Sequence, residues 1–281
     1  MAVENGLSVD VEEWFQVGAF ERVIHRGDWP RLESRVEANT DAVLELFAES
    51  GVKATFFTLG WVAERAPRLM QRIAAAGHEI ASHGVDHQRV FTMTADAFRA
   101  DLDRARKALE DASGTAVTGY RAPSFSIDKR TPWAHQVLAE EGYAYSSSVA
   151  PVVHDHYGWP EAPRFAFRPV AGAPLVELPV TTARIAGRNW ATGGGFFRLL
   201  PSAFTNWAVR QVNGEERPAI FYFHPWEIDP GQPRVAGAPL RSKMRHYSCL
   251  DAMADKLREF TRRHRWGRID AIAAREAARL G

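Results

Sequence analysis

Short apolar runs of strand length alternate along this chain with amphipathic stretches of helix length, and most of the runs end abruptly in a residue able to do chemistry. Strand character falls on residues 7–12, 53–59, 79–82, 117–120, 143–147, 175–180 and 219–223. Helical spacing falls between them on 37–50, 63–76, 95–112, 131–141 and 201–213. In the first of these helices Ala38, Ala42, Val43, Leu46 and Phe47 form one stripe, and Gly77, Gly114 and Gly142 follow the next three as stop signals. Strands alternating with helices of this length predict βαβ units and an α/β fold. If such a sheet curls into a barrel, its reactive residues gather at the strand C-terminal ends. Asp10, Glu12, His83, Arg121 and His224 all stand there.

Size and charge narrow the function classes. With 281 residues, 46% of them hydrophobic, the chain can bury one large core. One domain over 1–281 is expected, with C-terminal helices (about 248–281) packed on it. Lys+Arg 35 against Asp+Glu 34 leaves a net charge of +1, which argues against a nucleic-acid partner. The basic run from Arg258 to Arg268 reads as a solvated helix end. No stretch of 18 apolar residues suggests a membrane span, and no secretory leader is visible at the N-terminus. A single cysteine, Cys249, precludes an internal disulfide or a cysteine zinc knuckle and reads as a packing residue where a C-terminal helix begins. Cytoplasmic residence is therefore the expectation. Residues 151–174 and 229–247, rich in Pro and Gly, are expected as long loops over the site. Gly193-Gly194-Gly195 lets backbone approach a ligand or turn sharply, but it lacks the Lys and Ser/Thr of a phosphate-binding loop.

Two constellations stand out. His83 and His87 are four apart beyond an apolar run, and on the first turn of a helix they would share a face and point at one ion. Asp10 and Glu12 lie on one side of a strand by its period of two, whereas Glu13 points away. Each has a structural reading as well: a solvated or capping carboxylate, a core histidine. A catalytic metal typically keeps three protein ligands and one open position.

Five motifs in order carry a resemblance. Ser8-Val9-Asp10-Val11-Glu12-Glu13, Ala54-Thr55-Phe56-Phe57, His83-Gly84-Val85-Asp86-His87, Arg121-Ala122-Pro123 and Phe223-His224-Pro225 resemble the polysaccharide deacetylases of the NodB-homology fold. The Asp-Val-Glu-Glu-Trp start, residues 59–65, the Gly-Gly-Gly-Phe-Phe-Arg-Leu-Leu-Pro stretch and the His-Pro-Trp-Glu-Ile-Asp stretch resemble the subfamily associated with bacterial exopolysaccharide and exosortase systems. The likeness spans about residues 7–257.

The resemblance implies a distorted (β/α)7-type barrel and a divalent metal, usually Zn2+, with Co2+, Ni2+ or Mn2+ as substitutes. Carried over by position, Glu12, His83 and His87 are the ligands, Glu12 standing where Val11 displaces the family's second aspartate. Asp10 is the general base, His224 the general acid, and Arg121 pairs with Asp10. The substrate implied is an N-acetylated oligo- or polysaccharide, an exopolysaccharide or its lipid-linked precursor; peptidoglycan deacetylation and deformylation of a lipid-linked aminosugar are alternatives. The backbone N–H near Ser124 is expected to help hold the oxyanion. The family's aspartate before Ser-Ser is replaced by Ser146, so Asp155, Glu177 or Glu227 is expected to serve the acid imidazole instead. Among Trp14, Trp159, Trp190, Trp226, Tyr157 and Phe196, the expected sugar platforms are Trp190 and Trp226, with Phe196 beside them. Rival classes are a non-haem Fe(II) oxygenase, which also uses two His and a carboxylate but leaves Asp10 and His224 idle, and a carbohydrate-binding protein without turnover.

Overall fold

Strand β1 (Glu4–Val11) is the axis of the sheet and is buried from Asn5 to Val11, with Leu7, Val9 and Val11 in the hydrophobic core and Gly6, Ser8 and Asp10 on the opposite face. The structure, a computed structural model, describes residues 3–154 and 157–281. The remaining strands follow in chain order: β2 (Thr55–Thr58), β3 (Glu79–Ser82), β4 (Gly119–Tyr120), β5 (Tyr145–Ser146), β6 (Val176–Glu177), β7 (Thr182–Ile185), β8 (Arg188–Ala191), β9 (Ile220–Phe223) and β10 (Arg265–Gly267). Seven of them run parallel in the order β9-β1-β2-β3-β4-β5-β6. β10 adds alongside the beginning of β1, Gly6 opposite Gly267. The two ends of this curled sheet meet where Thr181 N–H donates to Ile220 O at 2.9 Å and Ile220 N–H donates to the Thr181 hydroxyl at 2.7 Å. This is the expected distorted (β/α) barrel.

Helices wrap the outside. Val36–Ser50 presents Val36, Val43, Leu46 and Phe47 inward and stops at Gly51, which is left-handed. Ala95–Ser113 does the same with Phe98, Leu102, Ala105 and Leu109, capped at its start by the Thr94 hydroxyl and at its end by Gly114. On the other side Phe221 of the wholly apolar β9 packs against Phe197, Phe260 and Trp266 at ring separations of 4.9, 4.6 and 6.0 Å. Burial of each such ring is worth about 1.5–3 kcal/mol. A separate small core of Trp14, Phe15, Val17, Phe20, Trp29 and Trp226 lies under the segments that follow β1 and β9.

The structure refines several local expectations. The helix read over 63–76 is two, Gly60–Arg65 and Pro67–Ala75, because the ring of Pro67 pushes Ala66 out of helical geometry (φ −126°, ψ 55°). The loop over 229–247 contains a helix, Leu240–Tyr247, and the segment after β6 contains the antiparallel hairpin β7–β8. Trp266, inside the basic C-terminal run, is buried in β10, while the charged residues around it are solvated. Cys249 is exposed in a left-handed turn (φ 57°) and packs nothing. The glycine run turns sharply at Gly194 (φ 53°) and packs on a side chain, where a Cβ on Gly193 would lie 2.6 Å from Tyr222 Cδ1 and 3.1 Å from Tyr222 O, while Gly195 lines a cleft.

That contact is testable. Gly193→Ala is expected to lower unfolding free energy by about 1–3 kcal/mol through overpacking against the Tyr222 ring. A urea midpoint equal to that of the unchanged protein would contradict the packing described.

Candidate functional site

The parallel strands deliver their last residues to one rim. Asp10 closes β1 and Glu12 follows it, both 2% exposed, while Glu13 turns away to accept the Arg35 N–H and the Ser34 hydroxyl at the start of helix Val36–Ser50. His83 follows β3, Arg121 follows β4 and His224 follows β9. All but Arg121 line a cleft of about 630 Å³, within the range of ligand sites.

The histidine pair does not sit on a helix. Gly84 (φ 76°) and His87 (φ 61°) are both left-handed, and the chain from 83 to 89 is a loop that folds His87 back toward His83, ring centroids 5.5 Å apart. A left-handed His stores backbone strain of a kind found at functional sites. The expected pairing is reached by a different route.

One donor atom each from Glu12, His83 and His87 lies within 4.8 Å of the other two. Glu12 Oε2 is 2.9 Å from His87 Nε2, yet it is buried and makes no hydrogen bond. Two lone pairs turned toward common ground in that way fit a cation, since a buried carboxylate oxygen without a partner is costly. The His83 Nδ1 is 2.8 Å from Arg121 O; a carbonyl only accepts, so Nδ1 carries the proton and Nε2 keeps its lone pair for a ligand bond. Burial lowers the His83 pKa to about 4, so the ring is neutral at pH 7. For Glu12 burial alone would favour the acid; the charges of His87, His224 and His83 outweigh it and lower its pKa to about 2. The Trp226 indole N–H donates to Glu12 Oε1 at 3.1 Å.

Arg121 is wholly buried. Its Nη1 donates to Asp10 Oδ1 at 2.6 Å and to the Ser8 hydroxyl at 2.8 Å, and its Nε and Nη2 donate to Ser147 O and Oγ at 3.1 and 2.9 Å. His224 Nε2 is 3.8 Å from Glu12 Oε1, and its Nδ1 is 2.5 Å from Glu227 Oε1. Glu227 in turn is held by the buried guanidinium of Arg198, 3.1 Å away. Burial pulls the His224 pKa down, but the Glu227 hydrogen bond and the charges of Glu12, Glu227 and Asp10 raise it to about 9. Of the three acids considered for this partnership, Glu227 has it. Glu177 is engaged elsewhere, with His135 at 3.0 Å and the N–H groups of Ser148 and Val149, and Asp155 lies outside the described residues. Ser146 donates to Ser148.

The aromatic assignments change. Trp226 is only 7% exposed and stacks between His224 and His246, at 5.1 and 4.2 Å, so it braces the site and offers no free face to a sugar. Trp190 is 51% exposed on the β7–β8 hairpin and does not line the cleft. Phe196 stands beside His154, ring centroids 6.1 Å apart, without lining the cleft itself. Trp226 still lines the cleft, and the rest of its aromatic wall is Phe125, Tyr157 and Tyr222, with His154 stacked on Tyr157 at 4.0 Å. Ser124 does line the cleft, in a turn where it and Phe125 are both left-handed (φ 54° and 48°). His154 and His246 carried no sequence signal beyond residue type, and Arg198 only its place in the glycine-rich stretch; the i, i+3 spacing of His224 and Glu227 could have pointed to their contact.

Comparison with known proteins places this geometry. A family profile described as polysaccharide deacetylase matches residues 28–146, and one described as a domain of unknown function, DUF3473, matches residues 147–274. A peptidoglycan deacetylase of Helicobacter pylori is 31% identical over 113 residues, 40% of this chain and 38% of that protein. A peptidoglycan-N-acetylglucosamine deacetylase of Bacillus cereus is 32% identical over 96 residues, 34% of this chain and 35% of that protein. The chain thus spans little more than a third of the length of these curated relatives. A crystal structure from Mycobacterium smegmatis, of a protein assigned as a polysaccharide deacetylase, superposes with a TM-score of 0.63 at 23% identity, covering 99% of this chain and 91% of the other. That likeness shows the fold.

If the three donors form one site, Trp226→Phe is expected to weaken Zn2+ binding about 10-fold by freeing Glu12, and His83→Ala by more than about 100-fold. Competition against a chromogenic chelator measures both. Affinity unchanged in His83→Ala would remove His83 from the ligand set.

Proposed function

Because residues 28–146 belong to the polysaccharide deacetylase family, we propose that the chain is a metal-dependent N-deacetylase acting on N-acetylhexosamine residues of a bacterial exopolysaccharide or its lipid-linked precursor. The carrying observation is the buried convergence of Glu12, His83 and His87 beside a carboxylate held by Arg121 and an imidazole held by Glu227. We treat the two family matches as one domain, since β2 from the first and β9 and β10 from the second all pair with β1.

Glu12, His83 and His87 would hold a divalent ion; zinc is among those that two imidazoles and one carboxylate suit, and such an ion lowers the pKa of a bound water to about 7 and polarises a carbonyl. Asp10 lines the cleft with Arg121 fixing one carboxylate oxygen, so it is oriented to accept the proton of the attacking water. The strained Ser124 turn sets backbone toward the same cleft, where an N–H can share the developing oxyanion charge. The leaving amine must be protonated. His224 donates from Nε2, its Nδ1 proton anchored on Glu227, and Arg198 keeps that carboxylate from swinging away. In an iron-dependent oxygenase Asp10 and His224 would have no task. Peptidoglycan is the second reading for the glycan, favoured by the names of the two relatives above.

Among the described residues no helix is long and apolar enough to cross a membrane.

Acetate release from N-acetylglucosamine oligomers, abolished by a chelator and by Asp10→Asn, is the expected result; release that persists in both would overturn the reading. His224→Ala is expected to lower kcat by about 100-fold or more with little change in KM, as for a group acting in the transition state. Comparable losses in both would assign it to sugar positioning. In Glu227→Gln the burial that depresses His224 is no longer offset by a carboxylate. The imidazolium is then lost at lower pH, and the alkaline limb of kcat against pH is expected to move acidward from about 9. A limb that stays in place would exclude Glu227 from tuning the acid.

A further inference from the structure

We propose that a second cavity beside the metal site, between residues 15–29 and the loop 86–92, is a subsite for an uncharged sugar residue adjoining the one that is deacetylated. The inference rests on the deacetylase reading and adds to it a required second ring. The cavity measures about 360 Å³ and shares Val17, Gly18, Glu21, His87 and Arg89 with the catalytic cleft. A chain of linked rings can therefore pass from one to the other, with the candidate ligand His87 at the junction.

Its walls suit a neutral pyranose. Phe15 and Trp29 supply apolar surface, and Gln16 and Gln88 supply amides. The charged groups are already matched in pairs, Arg26 with Asp86 at 3.2 Å and Arg89 with Glu21 at 2.6 Å. An anionic ligand would have to break one of these pairs, whereas a sugar can hydrogen-bond to their outer edges and leave them intact. Two buried donors in the walls, Gln16 Nε2 and Trp29 Nε1, have no partner in the protein, although over 90% of buried polar groups in folded proteins are paired. Small rearrangement on binding gives them sugar oxygens to bond.

The junction itself is kept open by Gly18. A Cβ there would lie 2.9 Å from Arg89 Nη2, so a side chain at 18 shifts that guanidinium and itself occupies the junction. Gly18 has no left-handed backbone requirement, so a larger residue acts there through its bulk alone.

The test compares kcat/KM for N-acetylglucosamine monomer and tetramer in the unchanged protein, in Gly18→Val and in Gln88→Trp, the last filling the cavity from a partly exposed position. The unchanged protein is expected to favour the tetramer by ~10-fold or more, and both variants to lose most of that ratio. Gln88→Trp decides alone if Gly18→Val does not fold. A ratio preserved in folded Gln88→Trp, or no preference in the unchanged protein, overturns the subsite. Should no oligomer release acetate, the deacetylase reading fails separately, and calorimetric titration with the tetramer still decides. Binding lost in Gln88→Trp supports the subsite, and equal binding, or none to the unchanged protein, refutes it.

Discussion

A guanidinium with no exposed surface is the constraint around which this site is arranged. Arg121 sits at the end of β4 with its side chain directed across the barrel to Ser8 and Asp10 on β1 and to Ser147 just after β5. Its plane lies over the ring of Phe57 on β2, 4.1 Å from the centroid. Taking such a charge out of water is tolerable only if its donors are met in good geometry, and breaking a buried pair of this kind costs about 3–5 kcal/mol. The same residue accepts the His83 Nδ1 proton through its carbonyl. One residue thus orients Asp10 by its side chain and sets the tautomer of a candidate ligand by its backbone.

The acid side is built from different parts on the same plan. His224 has a carboxylate behind it, but not from β5, whose last residue is Ser146. Glu227 takes the place from one turn of 3-10 helix downstream, and Arg198 anchors it from helix Gly195–Leu199. Trp226, between the two, ties the pair to Glu12 through its indole N–H. The stretch His224-Pro225-Trp226-Glu227 therefore joins acid, ligand and their supports in four residues. The hydrophobic cluster of Trp14, Phe15, Phe20 and Trp29 holds the facing segment in place.

Most of the reactive residues were legible in the sequence because each terminates an apolar run, and a strand end is the one place where such a residue is both fixed and accessible. The barrel was legible for the same reason. What was not legible depended on contacts distant in sequence or on backbone states that composition does not announce. The His83–His87 loop relies on left-handed residues at 84 and 87, so equal spacing gave the right pair on the wrong element. Trp190 and Trp226 look alike as aromatics near glycine or proline, yet one is exposed on a hairpin and the other is clamped between imidazoles. Most of the segment 13–35, part of which walls the second cavity, has neither helical nor strand periodicity, so its structure was not legible. Its order comes from tertiary packing of large side chains and from the Glu13 carboxylate that receives the start of the first long helix.

The whole account depends on Glu12, His83 and His87 meeting at one ion. X-ray absorption at the zinc edge of the loaded protein tests this most directly. The account predicts two imidazole nitrogens and one carboxylate oxygen at about 2.0–2.2 Å with further oxygen from solvent, and the loss of one imidazole shell in His87→Ala. A spectrum with sulfur in the first shell, or one unaltered by that substitution, would contradict it.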